Sequence, residues 1–233
     1  MQDKYKLKFL IHYIITKPKK AFLYLRFIVQ NFILMSIVRF RSIVLPQQNG
    51  MVTIITPTYK RLDKLKEAIS SVLNQSYSHW EHIIVSDGYD QKVKDYIEST
   101  GDPRIKYYST FKLNIWGNYQ RNYALKHANG EYVLYLDDDN ILFADGLKNM
   151  VEAFSPNEIG YVIAPIIYGN DMMNPDLDFM HGEIDLLNFM IKRNLVEKVG
   201  GQNMHNSADY FLISEIKKIS KGKKIDVVIG HHR

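Results

Sequence analysis

The sequence predicts an α/β fold: a mainly parallel, doubly wound sheet preceded by a basic, apolar, helical segment. Three observations predict it. From residue 51 onward, β-rich runs alternate with stretches of helical period, as in successive strand–helix–strand units. One run, Tyr132-Val133-Leu134-Tyr135-Leu136, stops abruptly in Asp137-Asp138-Asp139, as a buried strand does when it delivers acids to its C-terminal edge. Hydrophobic residues make up 46% of the 233, enough to fill a core on such a sheet and to exclude a wholly disordered chain.

The first segment, residues 1–49, is set apart by charge. It holds nine Lys/Arg and one acid, so it carries +8 while residues 50–233 carry −3. Within it, residues 21–38 read AFLYLRFIVQNFILMSIV, with Arg26 as their one charge. Lys17, Lys19 and Lys20 precede this run, and Arg39 and Arg41 follow it. A membrane-spanning helix needs ~20 mostly apolar residues. The uncharged stretch 27–38 is too short, and Arg26 would be costly in hydrocarbon. No small-residue cleavage site follows, which argues against a signal peptide. The expectation is an interfacial helix that rests peripherally on the inner, cytoplasmic face of the cell membrane, its bases toward anionic lipid; the alternative is a helix packed on the domain or on a partner. Apolar bulk outweighs any polar binding face, so no nucleic-acid partner is expected. The absence of cysteine excludes disulfides and thiolate metal sites.

Residues 45–50, with Pro46 and Gly50, read as a linker into the domain at 50–233. Residues 51–56 are the first strand, and 61–73 a helix with Leu62, Leu65, Ile69, Val72 and Leu73 at helical spacing. Residues 82–86 are a strand ending in Asp87-Gly88, 91–99 a helix, and 104–109 a strand. Residues 116–128 are a helix closed by Asn129-Gly130, and 131–136 the strand before the aspartates. Further on, 160–167 and 225–229 read as strands, 170–178 as a loop and 207–218 as a helix. His231-His232 follow the last strand.

Three adjacent carboxylates repel one another unless a cation joins them. Hard oxygen ligands favour Mg²⁺ or Mn²⁺, ions that also hold substrate phosphates, so the cluster predicts a divalent-metal and diphosphate site. Thr56, Asp87 and Asp137 stand at strand ends that converge on one sheet edge, where a nucleotide lies in open α/β sheets. An EF-hand fails, because Ile141 and Leu142 occupy positions that need an oxygen ligand and a glycine.

The pieces together resemble the family 2 glycosyltransferases of GT-A fold, over about residues 51–233. Ile54-Ile55-Thr56-Pro57-Thr58-Tyr59-Lys60-Arg61 is similar to the family's opening strand and nucleotide loop. Leu73-Asn74-Gln75-Ser76-Tyr77, followed by Trp80 to Gly88, is similar to its second block. The helix carrying Arg121-Asn122, then Gly130-Glu131-Tyr132, precedes a DxD element at Leu136-Asp137-Asp138-Asp139-Asn140. The resemblance implies a nucleoside-diphosphate-sugar donor, a UDP-sugar by the expected pairing of Asp87 with the base. It also implies a hydroxyl of a glycan or lipid-linked saccharide as acceptor.

Carried over residue by residue, Thr56, Pro57, Tyr59 and Arg61 line base and ribose, and Arg121 lies near the base or diphosphate. Asp137 reaches the ribose and Asp139 the metal. Asp138 joins the donor group, though it faces away if the strand persists. A C-terminal His completes the metal shell in many such enzymes, which makes His231 and His232 alternatives here. The general base of a single, inverting displacement falls on Asp209, after Gly200-Gly201. Ala208 occupies the position of a usual Glu, which leaves the acid without that support. Glu183 and Asp185 fall in the acceptor segment. Two rivals remain. A nucleotidyltransferase is disfavoured because Thr56-Pro57-Thr58-Tyr59 contains no glycine to cradle a triphosphate. A sugar-nucleotide-binding module or inactive partner subunit is kept open by Ala208.

Overall fold

β1 (Gln48–Thr58) is a β-branched run with an almost fully buried second half, and it takes an interior place in the main sheet. It pairs in parallel with β2 (Trp80–Asp87) on one side and β4 (Gly130–Tyr135) on the other. The crossovers are α1 (Leu62–Leu73) from β1 to β2, α2 (Gln91–Thr100) from β2 to β3 (Ile105–Thr110), and α3 (Asn118–Leu125) from β3 to β4. Asp90 starts α2 by accepting the Lys92 and Val93 amides, and Gly101 ends it at φ 65°. The computed structural model describes residues 29–30, 32–38, 40, 47–113, 116–155, 158–203 and 207–233.

After β4 come β5 (Ile141–Leu142), α4 (Gly146–Glu152), β6 (Ile159–Ile163), β7 (Ile166–Tyr168) and β8 (Asp171–Met173). A 3₁₀ turn (Leu186–Asn188) leads into β9 (Phe189–Lys192), then α5 (Arg193–Val199), α6 (Ala208–Ile219), β10 (Lys221–Lys224) and β11 (Gly230–His232). The seven-stranded sheet runs β10-β6-β9-β4-β1-β2-β3, and β9 alone is antiparallel to its neighbours. A second sheet runs β5-β11-β7-β8.

Side-chain alternation along the strands feeds two cores, one on each face. Val52, Ile54, Ile84 and Leu134 pack under α1, α2 and α4. Ile55, Ile83, Val85, Val133 and Tyr135 pack against α3, α5 and α6. Each of these buried side chains, Tyr135 apart, contributes roughly 1.5–3 kcal/mol. Positions 29–30, 32–38 and 40 are helical, and Leu34, Met35 and Val38 insert into the second core. Most of segment 1–49 lies outside the described residues.

Several expectations are corrected. The linker 45–50 gives up Gln48 to Gly50 to β1. The strand at 160–167 is two strands in different sheets, parted at Ala164-Pro165, where proline has no N–H for a ladder. Residues 170–178 include β8, so they are not wholly a loop. Residues 225–229 connect strands: the strand before them is the lysine-rich edge β10, and the strand after them is β11. Hydrophobic patterning passes over a Lys-Gly-Lys-Lys strand because an edge needs no apolar face of its own. β9 lies outside the expected strands because it is only four residues long.

Candidate active site

β1, β2 and β4 end at the same sheet edge, and a cleft of about 340 Å³ opens there. That is within the range of small-ligand sites, about 300–1,000 Å³. Pro57, Tyr59 and Arg61 line it from the loop after β1, Asp87 from the end of β2, Arg121 from α3, and Asp137 and Asp138 from the turn after β4. These seven were expected from the sequence.

Thr56 is the exception. It is fully buried, with Oγ1 2.8 Å from His82 Nε2, so it lies beneath the cleft and does not line it. Burial pulls the His82 imidazole down to about 3, which keeps it neutral. β1 runs on to Thr58, and Thr58 lines the cleft instead. Gln120, Gly117 and Trp116 also line it and were not singled out. Gln120 directly precedes Arg121, and helical spacing beside a ligand residue was the available signal. Gly117, at φ 76°, lets α3 begin against Pro57, where a Cβ would meet the ring at 2.8 Å. Trp116 stands exposed at the rim with φ 48°, a left-handed conformation that favours glycine.

The buried electrostatics are organised by Arg121, which is 5% exposed. Its Nη2 donates to Asp137 Oδ1, and its Nη1 donates to the Trp116 carbonyl at 2.9 Å and to Asn118 Oδ1 at 3.1 Å. Burial opposes its charge, but Asp137 and Asp209 outweigh burial and raise its pKa. Asp87 Oδ1 accepts the Leu113 amide at 2.6 Å and Gln120 Nε2 at 2.9 Å. The Gln120 side-chain oxygen, Oε1, is buried with no hydrogen-bond partner.

β4 ends at Tyr135, so the strand does not persist, and Asp138 turns into the cleft. Burial pushes its carboxyl up to about 6, although Thr58 Oγ1 donates to it at 2.8 Å and Arg61 Nη1 lies 3.4 Å away. Asp139 is paired with Arg61 at 2.7 Å and Lys64 at 3.4 Å.

The second sheet separates the two histidines by strand alternation. His231 turns to the Gly169 carbonyl, 2.9 Å from its Nε2. His232 turns toward the aspartates: Nδ1 is 3.2 Å from Asp185 and 3.4 Å from Asn140 Nδ2, and its ring stacks on Tyr168. The Asp185 hydrogen bond raises its pKa, and Asp137 and Asp139 add to the rise. Among the described residues no group of three His, Asp or Glu side chains is already gathered as a cage. The donor chemistry of Asp139 and His232 suits a divalent ion, and both are at present held by other partners.

Asp209 is the second residue of α6, close enough to Arg121 and Asp137 to feel both charges. Burial pushes its carboxyl up to about 6; Arg121 opposes this, and Asp185 and Asp137 reinforce it. Gln202 Nε2 donates to it at 3.3 Å. Asp185 caps the 3₁₀ turn through the Leu187 amide and holds His232. Glu183 is exposed and accepts the Met180 amide at 2.6 Å.

The sequence and the fold have counterparts among known proteins. Residues 53–215 match the family described as Glycosyl transferase family 2. An Escherichia coli relative, UDP-Glc:alpha-D-GlcNAc-diphosphoundecaprenol beta-1,3-glucosyltransferase WfgD, is 31% identical over 52% of this chain and 45% of its own length. A Campylobacter jejuni relative, GalNAc(5)-diNAcBac-PP-undecaprenol beta-1,3-glucosyltransferase, is 31% identical over 43% of this chain and 33% of its own. The matches thus span less than half the length of these relatives. In fold, the chain is similar to S. aureus TarS in complex with UDP-GlcNAc (TM-score 0.66, 18% identity, 78% of this chain and 58% of that one). It is also similar to the mannosyltransferase PcManGT from Pyrobaculum calidifontis in complex with GDP-Man and Mn²⁺ (TM-score 0.59, 17% identity, 90% and 67%). The fold class is therefore as the sequence predicted, a mainly parallel α/β sheet like those of GT-A enzymes, and with the family match running from β1 to α6 the chain belongs to glycosyl transferase family 2.

Proposed function

We propose that this protein is an inverting glycosyltransferase that moves a sugar from a UDP-sugar to a hydroxyl of a lipid-linked saccharide. One observation carries the reading. A single cleft at the strand ends holds a nucleotide-sized site with Asp87 on one wall, and Arg121 links that site to a carboxylate, Asp209, whose pKa of about 6 suits a base at neutral pH. Asp87 and the unpartnered Gln120 Oε1 are both acceptors, which suits a base edge that presents an N–H. The acceptor O–H attacks the anomeric carbon from the Asp209 side, and Asp209 takes its proton. The bond from the anomeric carbon to the diphosphate oxygen breaks, and UDP leaves with the electron pair. One displacement inverts the centre and needs no covalent enzyme intermediate. Arg121 and Arg61 sit where the diphosphate charge develops. A divalent ion held by Asp139 and His232 would supply further neutralisation of the leaving group. Glu183 and Asp185 are assigned to the acceptor side, and relatives named for undecaprenol-linked substrates support that acceptor class.

The membrane face follows from residues 29–40. Val29, Phe32, Ile33, Ile37 and Phe40 are exposed while Leu34, Met35 and Val38 are docked on the domain, and the surrounding sequence is basic. No helix among the described residues is long and apolar enough to cross a membrane. A peripheral contact with the anionic inner leaflet puts the cleft near lipid-linked acceptors. Isothermal titration of UDP, with GDP as control, with and without Mn²⁺, tests the donor site. Metal-dependent UDP binding is expected, and binding of neither nucleotide to folded protein overturns the reading in favour of an inactive partner subunit.

A further inference from the structure

Gln202 is 1% exposed, and its backbone is held twice by Asn122: the Gln202 amide donates to Asn122 Oδ1 at 2.8 Å, and Asn122 Nδ2 donates to the Gln202 carbonyl at 2.7 Å. Asn122 neighbours Arg121 on α3, so the loop carrying Gln202 is fixed to the helix that carries the cleft's buried arginine. The approach is so close that a Cβ at Gly201 would meet Asn122 Oδ1 at 2.4 Å, and Gly201 is at φ +71°. From this anchor the Gln202 side chain reaches two charged groups. Its Nε2 donates to Asp209 Oδ1 at 3.3 Å, and its Oε1 accepts from Arg121 Nη1 at 3.4 Å. The amide has one consistent orientation, because a guanidinium only donates and an ionised carboxylate only accepts.

We propose that Gln202 is a positioning residue for Asp209, spacing it from Arg121 and supplying the side-chain support that Ala208 does not provide. The proposal rests on the reading of Asp209 as the base. A neutral amide suits this position for a physical reason. A direct Arg121–Asp209 ion pair would pull the carboxylate toward low pKa and weaken it as a base. Interposed, the amide holds the carboxylate in place by a hydrogen bond while Asp137 takes the other arm of the guanidinium. The groups whose charge bears on Asp209 are Arg121 from α3, Asp137 from the turn after β4, and Asp185 before the 3₁₀ turn; Tyr135 of β4 is also close enough to sense its charge. Both amide bonds are long, as catalytic hydrogen bonds often are without substrate.

The test is a carboxyl-carbon NMR titration of the full chain labelled at aspartate, with Asp209 assigned from its loss in Asp209→Asn. Two variants are compared with the parent. Gln202→Met keeps the volume and removes the donor, and Gln202→Glu keeps the shape and places a second acid beside the first. Each is expected to raise the Asp209 pKa, by about one unit, the tenfold effect of a hydrogen bond to a charged group. UDP affinity of Gln202→Met by calorimetry should stay within about twofold, since Gln202 does not line the cleft and Arg121 keeps its bonds to Asp137, Trp116 and Asn118. An Asp209 pKa unmoved in both variants overturns the proposal, and should one variant fail to fold, the other still decides. Failure of the underlying reading looks different. Asp209→Asn would then transfer sugar at the parent rate, whatever the Gln202 variants do to the titration.

Discussion

Replacing Asp209 by Asn should abolish transfer and yet stabilise the fold at neutral pH. Its carboxyl is moved from an ordinary 3.8 up to about 6, chiefly by burial. A folded-state pKa above the unfolded one means that the folded state binds its proton more tightly. The associated stability is fully present below pH 4 and is lost as pH rises through 6. A shift of about two units corresponds to roughly 3 kcal/mol at pH 7, an upper figure because Asp209 is only half-buried and solvent screens part of it. Asn carries no charge at any pH, so Asp209→Asn should gain about 1–3 kcal/mol at pH 7 and nothing at pH 4. Urea unfolding of parent and variant at pH 4, 5, 6, 7 and 8 measures this without any acceptor. The same titration governs the base: transfer should rise with pH about a midpoint near 6, falling about tenfold from pH 7 to pH 5. A stability difference that does not change between pH 4 and pH 8 would refute the raised pKa. Full transfer by the Asn variant would refute the base.

Three further outcomes are expected. Arg121→Ala leaves Asp137 and Asp209 without their buried cation and should cost about 3–5 kcal/mol in denaturant unfolding, with loss of UDP binding by calorimetry; a variant that binds UDP as the parent does would sink the role. Asp139→Ala and His232→Ala should each weaken Mn²⁺-dependent UDP binding by about tenfold or more while His231→Ala does not, and equal effects of the two histidines would contradict the alternation seen in β11. Phe32→Ser with Phe40→Ser should reduce sedimentation with phosphatidylglycerol-containing vesicles while UDP affinity holds; these exposed positions are preferable to deleting 1–49, which would strip Leu34, Met35 and Val38 from the core.

The sequence by itself determined the strand–helix alternation, the strand ends that carry Asp87 and Asp137, and the family. These are local or additive signals: a β-branched run, a helical period and a carboxylate cluster each declare themselves within a few residues. The tertiary structure decided what depends on neighbours. Thr58 replaces Thr56 in the cleft because pairing with β2 carries β1 two residues further than its apolar run suggests. Asp138 enters the site because β4 stops at Tyr135, one residue before the apolar run ends, which resets the alternation of the aspartates that follow. His232 rather than His231 faces the aspartates because the register of β11 against β5 and β7 sets the phase of the alternation. Gln202 lies 80 residues from Asn122 in sequence, and only packing of the Gly200-Gly201 turn on α3 brings its amide between Arg121 and Asp209. A side chain's type can be read along the chain, but its partner is set by where the backbone returns.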